Sequence, residues 1–458
     1  MMTRRPPAKR GFGHAAGASV LIVVLWVCLG LVSITLLFGH SMLMAYRGAD
    51  NDLAGRQAEQ AIEGAARYVQ VLLTNPEKPG LMPDIATYES DAVPVGEAFF
   101  WFVGRAADQT TGTTRNFGLV EEASRINLNM RVTEPQVFLE LIGKLPGMTA
   151  ELAAAIMDWR DADEEVTAGG AEAETYMRRN PAYSAKNADF ESIEELALVS
   201  GADRLILYGE DTNLNGVLDP NEDDGDTSLP ADNSDGKLDP GILEYLTVFS
   251  RESNKQQDGT TARVNVAQPG EELRTLLTEK LSASRASEIM AQIGTPPPRF
   301  TSILAFYLRS GMKPEEFDSI SDAITVSTQE TLVGLINVNT ASETVLACIP
   351  GIDANKASDL VGARLTRATS EAGLAWVADI LGPEGVAQAG PYLTGRSYQV
   401  SADVAAVGRY GRGYRRTRFI IDHSTGTPQI IYRRNLAGLG WALGSDVRET
   451  FATTKGVQ

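Results

Sequence analysis

A chain of 458 residues with 43% hydrophobic content is long enough for two or three domains and rich enough to fill their cores, so wholesale disorder is not expected. The formal net charge of −18 argues against nucleic-acid binding by the chain as a whole, because phosphate contacts need a basic footprint; it fits an acidic exported protein that holds divalent cations. Cys28 and Cys348 stand about 320 residues apart, the first inside an apolar run, so no disulfide is expected and the membrane segment decides the compartment.

Residues 19–38 (SVLIVVLWVCLGLVSITLLF) run about 20 residues without a charge, enough to cross a hydrocarbon core of roughly 30 Å. Arg4, Arg5, Lys9 and Arg10 precede the run and the next basic residue is Arg47, so the positive-inside rule keeps the short leader cytoplasmic and exports the rest. The run is longer than a secretory signal and continues without proline to Asn75, which argues against cleavage after the span. Beyond it Leu53, Ala54, Ala58, Ala61, Ile62, Ala65, Tyr68, Val69 and Leu72 recur at three- and four-residue steps. Such a narrow stripe of mostly small side chains suits packing on a sheet or on neighbouring helices. A signal anchor with a helical stalk is the plainer reading of these residues alone.

A turn-rich linker follows Pro76, and then strand signals at 99–103 (FFWFV) and 116–120 (NFGLV), joined around Gly112 as a hairpin. From 124 to about 241 the pattern is helical and acidic, with helices expected at 134–145, 149–159 and 192–199. Strand character returns at 245–250 and 263–266, a second helical stretch spans about 271–390, and strands close the chain at 398–408, 416–422 and 429–435. An internal repeat links Ile126-Asn127-Leu128-Asn129, ahead of Pro146-Gly147, to Ile336-Asn337-Val338-Asn339, ahead of Pro350-Gly351. In each copy one helix ends at an apolar Pro-Gly turn and another begins, the pattern of a helix-hairpin-helix.

The sharpest local signal is Asp211, Asn213, Asn215, Asp219 and Glu222, oxygen ligands at loop positions 1, 3, 5, 9 and 12, with Gly216 at position 6 and the Val217 carbonyl at 7. That is the ligand spacing of an EF-hand loop, and hard oxygen ligands in this number suit Ca²⁺ over Mg²⁺. A solvated acidic linker with the same spacing is the plainer reading. A weaker echo holds Asp235, Gly236 and Asp239; with Gly236 at position 6, Ala231 and Ile242 fall at positions 1 and 12, so two ligands are missing. Dense carboxylates from 210 to 239 repel one another without a cation, which is the reason to expect ordering by Ca²⁺.

A third acidic run, 158–165 (DWRDADEE), precedes Gly169-Gly170-Ala171-Glu172; no histidine lies nearby, so a hydrolase built on Asp161 is not favoured. Lys356 is the only basic residue in 334–360, which disfavours phosphate recognition by the second helix-hairpin-helix. No nucleophile elbow, Walker loop, dinucleotide fingerprint or zinc motif appears, and no enzyme activity is expected. Arg409, Arg412, Arg415, Arg416 and Arg418 are expected to form a solvated hairpin at a sheet edge, with contact to an acidic partner as the alternative.

The basic leader followed by Gly17-Ala18-Ser19-Val20-Leu21-Ile22 resembles a type IV pilin-class N-terminus, which implies cleavage by a prepilin peptidase after Gly17, or less typically after Ala18. Most such proteins carry Glu at the fifth mature position; here Ile22 or Val23 stands there, a departure the resemblance to the K-type minor pseudopilins leads one to expect. WRDADEE with GGAE, the paired INLN and INVN motifs and FESIEELALV (190–199) resemble the general secretion pathway protein K family over most of the chain, with 211–239 looking like an insertion. In known members the first of these motifs binds calcium, which makes Asp161, Asp163 and Glu172 further ligand candidates beside Asp235 and Asp239.

The resemblance implies an α+β fold. An N-terminal transmembrane helix continues into a pilin-like domain, a long helix packed on an antiparallel sheet, with a large inserted α-helical domain containing helix-hairpin-helix-like motifs. The expected divisions are a leader 1–17, a transmembrane helix 18–39, its periplasmic continuation 40–75, a linker and first strands 76–123, and an inserted acidic helical domain 124–243 carrying the calcium segment 211–239. Return strands 244–270, a second helical part 271–395, C-terminal strands 396–445 completing the sheet and a tail 446–458 follow. Implied, too, are a cell inner-membrane location with the bulk of the chain periplasmic, a role at the tip of a secretion pseudopilus, and partners among the other minor pseudopilins, the inner-membrane secretion platform and the prepilin peptidase. No nucleic acid is expected. A membrane-anchored helix-hairpin-helix DNA receptor of the competence type is the alternative.

Overall fold

The computed structural model describes residues 15–74, 76, 78–105, 116–132, 134–256, 258–365 and 373–453. The leader and the turn around Gly112 lie outside the described residues, as do the side chains of Gly17 and Ala18. In chain order come α1 (Ala15–Leu72), β1 (Val93–Val95), β2 (Ala98–Phe102), β3 (Val120–Glu121), β4 (Ile126–Asn127), α2 (Pro135–Gly143), α3 (Ala150–Arg160), α4 (Ala173–Met177) and α5 (Arg204–Tyr208). Then follow β5 (Leu246–Thr247), β6 (Arg251–Ser253), β7 (Val264–Asn265), α6 (Glu271–Lys280), α7 (Ala283–Ile293), α8 (Ile303–Ser310), α9 (Pro314–Ile320), β8 (Ile324–Thr325), β9 (Thr331–Val333) and β10 (Ile336–Asn337). The chain ends with α10 (Glu343–Cys348), α11 (Ala354–Leu365), α12 (Ala375–Ala389), β11 (Leu393–Thr394), β12 (Gln399–Val407), β13 (Arg415–Asp422), β14 (Gln429–Asn435) and α13 (Gly444–Thr453).

The fold is α+β. Six strands form one sheet in the order β1-β2-β12-β13-β14, with β3 also on β12 and every pairing antiparallel. The small-residue stripe of α1 explains how a helix lies so close on it: Ala58, Ala61, Ile62, Ala65, Ala66 and Val69 are buried against Phe100, Phe102, Val404, Ala406 and Phe419. Leu53, at the head of the stripe, stays exposed. At the β12–β13 turn the backbones nearly touch, since a Cβ on Gly408 would lie 2.1 Å from the Ala54 carbonyl oxygen. The other face of the sheet carries Trp101, Val103, Ala405 and Val407 under α13, so residues after 444 form a packed helix where a tail was expected.

The segment 244–270 does not return to this sheet, which corrects the expectation. Its strands β5, β6 and β7 pair instead with β4, β9 and β8 inside a separate helical body. That body has its own core, from Ile126 and Phe138 through Phe306 and Phe317 to Val386. It is built on a threefold repeat. Ile126/Asn127 pairs in parallel with Leu246/Thr247, Val264/Asn265 with Ile324/Thr325, and Ile336/Asn337 with Leu393/Thr394. In each unit the Asn Oδ1 accepts from the backbone N–H two residues on, at 2.7, 2.8 and 3.0 Å. The Thr Oγ1 does the same, at 3.1, 3.1 and 3.3 Å. Helices fill the space between each Asn strand and its Thr strand, α2 to α5 in the first unit, α6 to α9 in the second and α10 to α12 in the third.

Body and sheet meet along β3 and the residues after it. Glu121 is buried, and its Oε2 accepts from Asn337 Nδ2 (2.8 Å) and Thr340 Oγ1 (2.7 Å). Burial, against these two hydrogen bonds, pushes its carboxyl up to about 6. The arginine cluster is not a solvated hairpin. Arg409 and Arg412 pair with Asp50 and Arg415 with Glu59, tying the β12–β13 turn to α1. Arg416 is fully buried and forms a bidentate pair with Asp403 at 2.8 Å for both bonds. Although burial opposes it, Arg416 and Arg418 hold the Asp403 carboxyl well below the usual range.

Candidate cation sites

The acidic insertion leaves the helical body through a narrow neck. Gly209 bridges Pro240, Glu210 N–H donates to the Asp239 carbonyl at 3.0 Å, and the segment between them forms the loop. Asp211, Asn213, Asn215 and Glu222 are buried, although all are polar, and this requires partners. Asp211 accepts from the N–H groups of Asn215 (2.9 Å) and Gly216 (2.8 Å), and Glu222 from those of Thr212 (3.2 Å) and Asp219 (3.0 Å). Asn213 and Asn215 both donate Nδ2–H to Asp219 Oδ2, at 2.7 and 3.0 Å. The position-3 oxygen, Asn213 Oδ1, is buried without a hydrogen-bond partner. Burial, with Asp211 and Asp219 nearby, pushes Glu222 up to about 8. The residues thus fold as a compact loop in which the protein's own donors leave Asn213 Oδ1 unsatisfied. Gly216 sits at φ +71, and a Cβ there would also lie 2.9 Å from Arg105 Cδ.

The weaker echo repeats this wiring with ligands from elsewhere. Asn233 donates to Asp239 Oδ2 at 3.0 Å, six residues on, as Asn213 does to Asp219. Glu210 accepts from Asn233 N–H (3.4 Å) and Asp239 N–H (2.9 Å), and so stands where a twelfth-position glutamate would. Asp223 accepts from Gly236 N–H at 3.1 Å, the role of Asp211 in the first loop. Sequence spacing could not supply either residue, because neither lies at its loop position in the chain. Asp235 remains beside them, its Oδ1 accepting from Lys237 N–H at 2.9 Å.

The third cluster is assembled by α3 and the turn after it. Glu172 is buried and both of its carboxylate oxygens lack a hydrogen-bond partner, as does Asp161 Oδ1. Burial, then Asp158 and Asp161, pushes Glu172 up to about 7; burial, then Asp163 and Asp158, pushes Asp161 up to about 6. Asp158, first in the acidic run but not among the ligand candidates, is wholly buried and accepts from Thr167 N–H at 3.1 Å. Gly170 follows from it: a Cβ there would lie 2.1 Å from Asp158 Oδ2. Asp163 is exposed and turned to Glu165 N–H. Among the described residues no three His, Cys, Asp or Glu side chains already converge as a metal-binding group, since these carboxylates point at backbone N–H groups or stand apart.

The helix-turn-helix pairs use their basic groups internally. Lys144 Nζ donates to the Ala347 and Cys348 carbonyls at 3.4 and 3.3 Å, and Lys356 Nζ to the Gly351 carbonyl at 3.1 Å. In α1, Ile22 and Val23 are exposed along with the rest of the apolar run, the one helix among the described residues long and apolar enough to cross a membrane.

Residues 121–207 match the family model described as type II secretion system (T2SS), protein K, first domain. A type II secretion system protein K from Klebsiella pneumoniae is 38% identical over 75 residues, which cover 15% of this chain and 23% of the relative. The matched part thus spans about a quarter of that relative. Among solved structures, the GspK-GspI-GspJ complex from the enterotoxigenic Escherichia coli type 2 secretion system aligns at a TM-score of 0.40 and 11% identity, over 83% of this chain and 96% of that one. The stretch from β3 to α5, with the INLN, WRDADEE, GGAE and FESIEELALV motifs, is thus similar to the type II secretion system protein K family.

Proposed function

We propose that this chain is the K-type minor pseudopilin of a type II secretion system, a structural component that makes and breaks no bond, and that it initiates and caps the tip of the periplasmic pseudopilus. The protein K domain at 121–207 carries the reading. In this role a prepilin peptidase removes the leader after Gly17 or Ala18, α1 crosses the inner membrane once, and everything beyond it is periplasmic. A subunit inserted first has no preceding neighbour whose amine needs neutralising, which agrees with Ile22 or Val23 in place of an acid. The helical body, much wider than α1, would block another subunit from stacking above it.

Partners follow by analogy. The E. coli complex is named for its K, I and J subunits, and we extend that arrangement to this chain, with the secretion platform beneath it. Calcium belongs to the proposal as a structural ion. Asp211, Asn213, Asn215, the Val217 carbonyl, Asp219 and Glu222 would hold one ion, Asp235 and Asp239 with Glu210 and Asp223 a second, and Asp161, Asp163 and Glu172 with Asp158 a third. The ion supplies positive charge to carboxylates that otherwise repel. The DNA-receptor reading gains nothing from Lys144, which donates to the Ala347 and Cys348 carbonyls at the end of α10, or from Lys356, which donates to the Gly351 carbonyl. Mass spectrometry of the membrane-extracted protein tests the role: a new N-terminus at Ala18 or Ser19 is expected, and an intact leader would overturn it.

A further inference from the structure

The 211–222 loop touches more than its own ligand oxygens. Two of its backbone carbonyls face the sheet. The Asn213 and Leu214 carbonyls accept from Arg416, the guanidinium buried in β13, the latter at 2.7 Å. Leu214 adopts φ +54, a conformation disfavoured for a residue with a side chain, and this turn presents its carbonyl to Arg105 as well, at 3.0 Å. Arg105, just past β2, is held by Glu244 on the helical body, its Nε 2.9 Å from both carboxylate oxygens. Asn213 Nδ2 also reaches the Trp441 carbonyl at 3.4 Å, behind the sheet. Asn213 is 8% exposed, and its Oδ1 is buried without a hydrogen-bond partner on the amide that donates to Asp219. One residue therefore offers its side-chain oxygen to an ion and its backbone oxygen to the sheet.

We propose that this loop is a cation-dependent latch between the helical body and the pilin-like sheet. Resting on the calcium reading above, it goes further: the ion fixes the turn at 213–216, and the turn supplies the carbonyls that Arg416 and Arg105 need. An emptied loop relaxes, the two buried guanidinium groups lose acceptors, and the strands that carry them open more often. Coupling of this kind is a free energy shared by two sites, so it is read at the site the ion does not touch.

Hydrogen exchange of the full chain in detergent micelles, with Ca²⁺ or with chelator, tests it, alongside calorimetric Ca²⁺ titration. In chelator, amides of 211–222 and also those of 415–422 and 436–443 should exchange about tenfold faster, while 336–338 in the body stays unchanged. Arg105→Lys and Arg416→Lys should still bind Ca²⁺ and protect the loop, yet lose the response at 415–422; should the buried Arg416 variant fail to fold, Arg105→Lys alone decides. Loop protection without any response in β13 would overturn the latch and leave the ion site standing. No Ca²⁺ binding and no change in the loop would overturn both. A response at 415–422 that survives in the lysine variants would show that these carbonyls do not carry it.

Discussion

The sheet and the helical body are held together by opposite means. The sheet is assembled from strands that lie almost 300 residues apart in sequence, β2 and β12, and is closed by a single helix whose alanines let it approach. The body is contiguous from β4 to β11 and builds its core by repeating one small device, an Asn strand bridged to a Thr strand, three times. Sheet and α1 therefore share one cooperative core with a long exposed apolar run left over for a membrane and for neighbours, whereas the body is closed on itself. This difference suits a subunit that assembles by its helix and obstructs by its body.

The largest expected effect separates the two cores. Phe306→Ala removes a wholly buried ring from the body and should cost about 3–5 kcal/mol. In chelator it should lower a melting transition of the body while leaving exchange in β12 and β13 as it was. A common shift of both would make them one unit and break the comparison.

Acid should act on the sheet first. His423 is buried beyond β13 against the Tyr398 ring, and burial, opposed by Asp422, lowers it to about 4. The unfolded chain then binds the proton first, so this contribution is complete above pH 6.5 and is lost as pH falls toward 4, by at most about 3 kcal/mol. Glu121 works the other way: its raised value favours the folded state as pH falls from about 6. Denaturant titrations of wild type and His423→Gln between pH 7 and 4 should therefore diverge, the variant losing less stability. Parallel curves would remove His423 from the account.

The repeat can be ranked from within. Asn337→Ala removes both the local turn and a donor to buried Glu121, and should cost about 1–3 kcal/mol. Asn265→Ala, whose Oδ1 accepts only the turn N–H and whose site is half-buried, should cost about 1 kcal/mol. Equal midpoints in urea would mean that these two bridges are interchangeable. Smallest is Arg131→Ala, which breaks an exposed pair with Asp189 and should change stability by less than about 0.5 kcal/mol.

Much of this was legible because it is written locally. Thr149 caps α3, with Leu152 N–H on its hydroxyl at 3.1 Å, and the residues 429–435 expected as a strand form β14. The ligand spacing from Asp211 to Glu222 also lies in one stretch. What was missed depends on distant partners. The middle repeat copy reads Val264-Asn265-Val266-Ala267; it has no second Asn, and its Pro269-Gly270 stands before the first helix and not between two, so nothing marks it until its bridge to Ile324 and Thr325 is seen. Five arginines within ten residues look solvated until Asp50, Glu59 and Asp403 are folded against them. Glu210 and Asp223 take loop roles from outside the loop's register, which spacing cannot encode. Residues 244–270 carry true strand character, but two-residue strands fixed by Asn and Thr side chains satisfy it without entering the large sheet.

The proposed assembly with other minor pseudopilins is tested most directly by native mass spectrometry of this chain coexpressed with I- and J-type subunits from the same source. A one-to-one-to-one complex is expected. A chain that stays alone under conditions where the other two pair would contradict it.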